Sequence, residues 1–242
     1  MLTSTLQKRI VQKNFNKAAL SYDQNNLIQK EVCKDLIKLF LKKESYFPVV
    51  LDVACGTGES TKNLKNHIAY EAFYGMDLAG ELLKIAQKKL INIPFIQGDF
   101  ETSPFKDESV DLIFCSMGLQ WSSRLEQVIK NFYKILKPKG TLAFALPLKD
   151  NFPELKADLK PEFFDHKNLL NALKHNGFTL QDDLIKTYRL NFLSQLELLK
   201  SIKSVGATFS KKSVFQAKPS QFFINPTCTT LTYEIGFYGM KK

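Results

Sequence analysis

The chain has 242 residues, 44% of them hydrophobic and 24% charged, with a formal net charge of +10 at pH 7. That leaves room for one large domain or two small ones with a real core, and it excludes a disordered tail protein or a collagen-like chain. No apolar run approaches the ~18 residues of a membrane helix, and the polar, basic N-terminus has no apolar stretch ahead of a small-residue cleavage site, so a soluble, unsecreted, cytoplasmic protein is expected.

Residues 24–43 place Leu27, Ile28, Val32, Leu36, Leu39 and Phe40 at spacings of three and four, which predicts an amphipathic helix ending before Pro48. The period then changes. The run FPVVLDV at 47–53 is short, β-branched and continuously apolar up to its Asp, as a strand buried on both faces should be. Further strands are predicted at 71–77, 93–97, 110–115 and 140–147, with helices between them at 59–66, 79–90 and 125–136. Strand and helix alternate five times, so the fold class is α/β with a mostly parallel sheet and right-handed crossovers. After Pro147 the alternation falters: a helix at 165–176 ends at Gly177, followed by a strand at 178–192, a helix at 194–205 and a last strand at 229–240. The roughly 35 residues between the last two strands are too many for a hairpin, and loops of that length are usually lids or binding elements.

The basic excess sits on the flanks. Residues 1–43 carry nine basic and three acidic groups, residues 186–242 carry nine and two, and the stretch between is slightly acidic. A basic surface built from both flanks attracts nucleic acid, anionic membrane or an acidic protein. The four cysteines, Cys33, Cys55, Cys115 and Cys228, form no C-x-x-C pair and are expected to be reduced, neither a disulfide frame nor a zinc site; no metal is expected.

The first strand runs through Asp52, Val53, Ala54, Cys55, Gly56, Thr57 and Gly58 straight into a helix. Glycines there let the chain turn sharply and a ligand approach the main chain, beside the unpaired N–H groups of a helix start. A dinucleotide fingerprint needs G-x-G-x-x-G, but position 61 is Thr and position 54 is Ala. Nineteen residues past Gly58, Asp77 ends the second strand, where a carboxylate can accept from both ribose hydroxyls. The third strand ends in Gln97-Gly98-Asp99-Phe100, a carboxylate for an exocyclic amine beside an aromatic ring. Three acids in order at successive strand ends point to a nucleoside-bearing ligand.

In this order the residues resemble the class I S-adenosylmethionine-dependent methyltransferases, over roughly 48–147, including the fourth strand 110–114 and Leu136-Lys137-Pro138-Lys139-Gly140 before the fifth. The resemblance implies a Rossmann-like three-layer fold with a seven-stranded, mostly parallel sheet whose last strand is antiparallel, plus N-terminal helices and a lid insertion. It implies S-adenosyl-L-methionine as cofactor, with Asp52, Ala54, Gly56 and Gly58 around the methionine part, Asp77 and Leu78 at the ribose, Asp99 and Phe100 at the adenine, and Ser116 also at the cofactor. Ala54 stands where relatives usually have glycine, and a positive φ there would be strained.

A narrower resemblance lies in the flanks. Phe15, Ala18, Ala19, Tyr22 and Asp23 match the opening segment F-x-x-A-A-x-x-Y-D/E of the carboxyl methyltransferases of early biotin synthesis, which act on malonyl-acyl carrier protein. Leu119-Gln120-Trp121, the stretch from Leu199 to Thr208, and Leu231-Thr232-Tyr233-Glu234 agree with it. It implies one methyltransferase domain: an N-terminal cap at 1–46, a cofactor core at 47–147 and a substrate side at 148–242 with an insertion at about 193–228. Tyr22, Gln120 and Trp121 are then expected to wall the acceptor site, and Lys203, with Lys200, to supply a cation; acidic acyl carrier protein is the expected partner, with neither nucleic acid nor membrane. Lys200 stands where relatives often have Arg and lacks the bidentate fork. The chemistry agrees: a malonyl carboxylate is ionised at pH 7 and needs no general base, so no catalytic acid–base residue is expected, and His67, His166 and His175 fall on outer helices. A quinone or other small acceptor, an RNA substrate or a non-catalytic cofactor-binding scaffold stay open as alternatives.

Overall fold

The computed structural model describes residues 4–41, 45–102, 104–157, 160–204, 222–225 and 227–242. Two helices lead, α1 (Ser4–Asn25) and α2 (Leu27–Phe40), followed by β1 (Val49–Val53), α3 (Glu59–Lys65), β2 (Ala72–Asp77), α4 (Gly80–Lys89), β3 (Phe95–Gln97), β4 (Val110–Ser116), α5 (Leu125–Ile135) and β5 (Leu136–Pro147). The chain continues through α6 (His166–His175), β6 (Thr179–Asn191), α7 (Gln195–Ser204) and β7 (Thr230–Lys241). Strand order is β3-β2-β1-β4-β5-β7-β6. β1 to β5 are parallel, and β7 runs antiparallel to both of its neighbours, β5 and β6.

The period-two alternation of the strands makes two cores. Leu51 and Val53 of β1, Ile113 and Cys115 of β4, and Leu142, Phe144 and Leu146 of β5 face α5 and α6, whose Val128, Ile129, Phe132, Leu169 and Leu173 complete that layer. The intervening Val50, Leu112, Phe114, Ala143 and Ala145 face the apolar stripe of α2, Ile28, Val32, Leu36 and Ile37. Each of these side chains is buried, and full burial of an aliphatic residue stabilises by about 1.5–3 kcal/mol, so either face outweighs any single surface contact. Cys33, Cys55 and Cys115 are buried and unpaired by disulfide, and Cys228 is partly buried.

Two details differ from the sequence expectation. The fifth strand begins at Leu136, not 140, because Val110 pairs with Leu136 while Leu112 pairs with Thr141, and the extra residues bulge out, with Lys139 at φ +66°. His166 lies on α6 as expected but His67 lies in the turn after α3, and both bond to distant parts of the chain: His166 Nδ1 lies 2.9 Å from the Tyr238 hydroxyl, and His67 Nε2 lies 2.7 Å from the Leu41 carbonyl oxygen. Both bonds span long stretches of sequence, which periodicity cannot register. The stretch Gly206-Ala207-Thr208 lies outside the described residues. No described helix is long and apolar enough to cross a membrane.

Candidate active site

The strand order reverses between β1 and β4, and ligands of open α/β sheets bind at the carboxyl ends of the strands flanking such a reversal. A cleft opens there, walled by the ends of β1, β2, β3 and β4 and roofed by α1. From β1 the chain turns through Ala54 (φ +56°), Gly56 (φ +55°) and Gly58 (φ +80°) into α3. The strain expected at Ala54 is therefore present: left-handed backbone costs an L-residue about 1–2 kcal/mol.

The strand-end acids occupy different positions. Asp77 lines the cleft, where its Oδ2 accepts from the Gly56 N–H at 2.9 Å and its Oδ1 from the Ala79 N–H at 2.8 Å. Burial raises its pKa, and the Ala79, Gly56 and Leu78 N–H groups oppose that rise. Asp99 and Phe100 line the same cleft, with Asp99 Oδ1 accepting from the Glu101 N–H at 2.8 Å and Oδ2 from Lys8 Nζ at 2.6 Å. Asp52 is fully buried and is not among the lining residues, because alternation along β1 turns it toward α3. There its Oδ2 accepts from Ser60 Oγ at 2.7 Å and Thr61 Oγ1 at 2.6 Å, pinning the first turn of α3. Burial pushes its pKa up to about 7 against those two hydroxyls, and the charge of Asp77 adds to the rise.

The roof explains the opening motif. Ala18 and Ala19 are small and buried, and Ala19 packs with Ala79 and Leu82 of the α4 region beside Phe15 and Tyr22. Gln12 Nε2 donates to the Leu78 carbonyl at 2.9 Å, and Asn16 Oδ1 accepts from the Glu81 N–H at 3.0 Å. Asp23 accepts from Thr57 Oγ1 and pairs with Lys89, fastening the end of α1 to the glycine turn and to α4. Phe15 meets Trp121 edge to face at 5.4 Å, and Tyr22 and Trp121 both line the cleft. Burial, with the charges of Asp77 and Asp23, raises the Tyr22 pKa, so its phenol stays neutral at physiological pH.

A second chamber shares Tyr22, Ala54, Gly56 and Ser116 with the first. Asn26 Oδ1, Gln29 Oε1 and Ser116 Oγ line it, buried and without a hydrogen-bond partner among the described residues. Buried acceptors left unpaired cost about 1–3 kcal/mol each, so the chamber suits a ligand bearing N–H donors. Unpaired acceptors beside the left-handed turn at Gly56 could hold an ammonium group such as that of S-adenosylmethionine, and the main cleft brings Asp77 and Asp99 together where hydroxyl and amine donors of a nucleoside could be received.

Of the residues singled out in the sequence, Tyr22, Ala54, Gly56, Asp77, Leu78, Asp99, Phe100, Ser116 and Trp121 line the main cleft. Asp52, Gly58 and Gln120 do not; Gly58 precedes α3, and Gln120 Nε2 turns away to donate to the Met117 carbonyl at 2.7 Å. Lys200 is exposed on α7, and the side chain of Lys203 lies outside the described residues. Sequence reasoning missed Lys8, Phe15, Asn26, Gln29 and Glu101. Phe15 carried a signal in the opening motif; the others are ordinary helix or turn residues until the fold joins them to strand ends. Among the described residues no group of three or more His, Cys, Asp and Glu could hold a metal ion.

The family model described as methyltransferase domain matches residues 51–144. Solved structures agree in fold: a protein of Bacillus halodurans described as a methyltransferase superposes with a TM-score of 0.65 at 17% identity, covering 88% of this chain and 99% of that one. Phosphoethanolamine N-methyltransferase 2 of Haemonchus contortus, solved with S-adenosylhomocysteine, gives 0.62 at 15% identity, covering 94% of this chain and 57% of that one. Fold, cleft and matched segment define an S-adenosylmethionine-dependent methyltransferase. Over its whole length the chain is 40% identical to malonyl-[acyl-carrier protein] O-methyltransferase 2 of Coxiella burnetii, covering 99% of that protein, and it is 29% identical to the malonyl-[acyl-carrier protein] O-methyltransferase of Bacillus cereus, over 90% of this chain and 87% of that one. The chain belongs to the malonyl-[acyl-carrier protein] O-methyltransferase family.

Proposed function

We propose that this protein methylates the free carboxylate of a malonyl group carried on acyl carrier protein, giving the methyl ester that enters biotin synthesis. One observation from the site supports that acceptor over a phenol, enol or amide. Among the described residues no histidine or cysteine lines the main cleft, each oxygen of Asp77 and Asp99 already accepts a hydrogen bond, and burial holds the Tyr22 phenol neutral. Such a cleft serves an acceptor that arrives ionised, as a carboxylate does at neutral pH.

Bound in the two chambers, S-adenosylmethionine supplies an electrophilic methyl on a sulfonium. On this reading the remaining lone pairs of Asp77 would accept from the ribose hydroxyls, Asp99 would hold the exocyclic amine of adenine, Phe100 would cover the ring, and the turn at Ala54 and Gly56, with Ser116, Asn26 and Gln29, would receive the methionine end. Tyr22 and Trp121 wall the acceptor channel and keep water from the reacting carboxylate. Lys203, with Lys200, brings positive charge on α7, which packs against α1. The protein contributes alignment, an effect worth up to ~7–11 kcal/mol when the geometry is ideal.

The basic flanks complement an acidic carrier, so docking should weaken as salt rises. The direct test offers methyl-labelled cofactor with malonyl-carrier, free malonate or bulk tRNA. Label in a base-labile ester on the carrier supports the reading; label in tRNA, or none on the carrier, overturns it.

A further inference from the structure

We propose that Glu101 is a positioning residue for the acceptor: its carboxylate fastens the roof helix α1, through Lys8, to the loop that carries Trp121, through Ser122, Ser123 and Arg124. The inference rests on the reading that Trp121 walls the acceptor channel. Glu101 follows β3 in a short 3-10 helix (Phe100–Thr102), and its side chain is fully buried although the residue lines the main cleft. Five donors converge on it. Oε1 accepts from Ser122 Oγ at 3.0 Å, the Ser123 N–H at 2.9 Å and Ser123 Oγ at 3.2 Å, while Oε2 accepts from Arg124 Nε at 3.0 Å and pairs with Lys8 Nζ. Its main-chain carbonyl accepts from Asn131 Nδ2 of α5 at 2.7 Å.

The connections are functional in placement. Lys8, Glu101 and Trp121 all line the main cleft, and Lys8 is shared between Glu101 and Asp99. Trp121 immediately precedes the serine pair that Glu101 holds, and its ring meets Phe15 of α1. One buried anion thus ties roof to loop by charge at Lys8, and the Phe15–Trp121 ring contact joins the same two elements a second time. A buried carboxylate with cations on both sides is strongly destabilised when a partner is removed, so the arrangement is held to one geometry.

Trp121 is the single tryptophan of the chain, so emission excited selectively at tryptophan, away from tyrosine absorption, reports this loop alone. Glu101→Gln keeps one acceptor for the serines and places an amide where the charge held Lys8 and Arg124. In cofactor-free protein, acrylamide quenching of Trp121 is expected to rise above wild type, and Lys8→Met should raise it in the same direction while Lys8→Arg restores it. In turnover, Glu101→Gln should raise KM for the malonyl-carrier by about tenfold, the loss expected for hydrogen bonds to a charged group, while cofactor Kd stays within about threefold. Wild-type quenching in Glu101→Gln, or raised quenching with an unchanged carrier KM, overturns the proposal. Should that variant not fold, Arg124→Met, whose parent side chain is half exposed, decides by the same two readings. Quenching is read without any acceptor, so if wild-type protein fails to methylate malonyl-carrier, the reaction assigned above falls while the coupling of α1 to the Trp121 loop is still decided.

Discussion

Alanine at each of the two glycines of the β1–α3 turn separates folding from ligand binding. Gly58 has φ +80°, and a Cβ built there would lie 3.1 Å from Ala86 Cβ, 3.3 Å from Ala86 Cα and 3.3 Å from Leu90 Cδ1. Left-handed strain costs about 1–2 kcal/mol and crowding against α4 another ~1–3, less about 0.4–1 recovered from the unfolded chain. A central value of about 3 kcal/mol lowers Tm by roughly 6–12 °C in a domain of this size. Gly56 has φ +55°, but its added Cβ meets only Tyr22 Cε1, at 3.9 Å, so Gly56→Ala should cost about 1 kcal/mol and about 2–4 °C. That methyl projects into cleft space, and calorimetric titration with S-adenosylmethionine should show affinity reduced by about tenfold or more, about 1.4 kcal/mol. Thermal unfolding of both variants, with and without cofactor, completes the comparison. A Gly58→Ala protein as stable as Gly56→Ala, or Gly56→Ala binding like wild type, would refute this account of the turn.

Ala54→Gly removes the remaining left-handed L-residue of the turn and should raise Tm by a few degrees, about 2–4 °C per kcal/mol relieved; a lower Tm in a melting scan would contradict the strain. Stability should carry an acidic signature from Asp52. Its folded pKa, about 7, lies above the ordinary carboxylate value, so its contribution is complete below about pH 4 and is lost as pH rises through about 7; denaturant titrations across that range should show a weaker loss in Asp52→Asn. Glu101 acts oppositely. Burial alone would raise its pKa, but hydrogen bonds from Lys8, Arg124 and Ser122 prevail and hold it at about 2, so its contribution is present above about pH 4.5 and fades as pH falls through 2. Lys203→Met should raise carrier KM or lower kcat/KM by at least about tenfold, with cofactor affinity unchanged; near-normal kinetics would remove Lys203 from the site.

The fold was legible because strands and helices keep distinct periods. The apolar run into Asp52, the glycine turn and the acids at 77 and 99 locate three strand ends, and they meet in space because parallel strands share one carboxyl edge. Asp52 shows where that logic stops: the motif marks its position, yet alternation along β1 aims it at Ser60 and Thr61 rather than into the cleft. The opening motif was legible as a resemblance, and the structure supplies its physics, with Ala19 allowing close contact to the α4 region and Asp23 clamping the glycine turn. Glu101 and Lys8 left no local signal. Their pairing joins the first helix to the end of the third strand, and neither hydrophobic period nor motif spacing encodes a contact of that range.

The central claim is that the acceptor enters the roofed cleft already ionised and needs only alignment. Single-turnover transfer of labelled methyl to malonyl-carrier, followed from pH 7.5 to 9, tests it above the titration of Asp52. The account predicts a base-labile ester formed at a rate that stays flat with pH; a rate climbing about tenfold per unit, as for an acceptor that must first lose a proton, would contradict it.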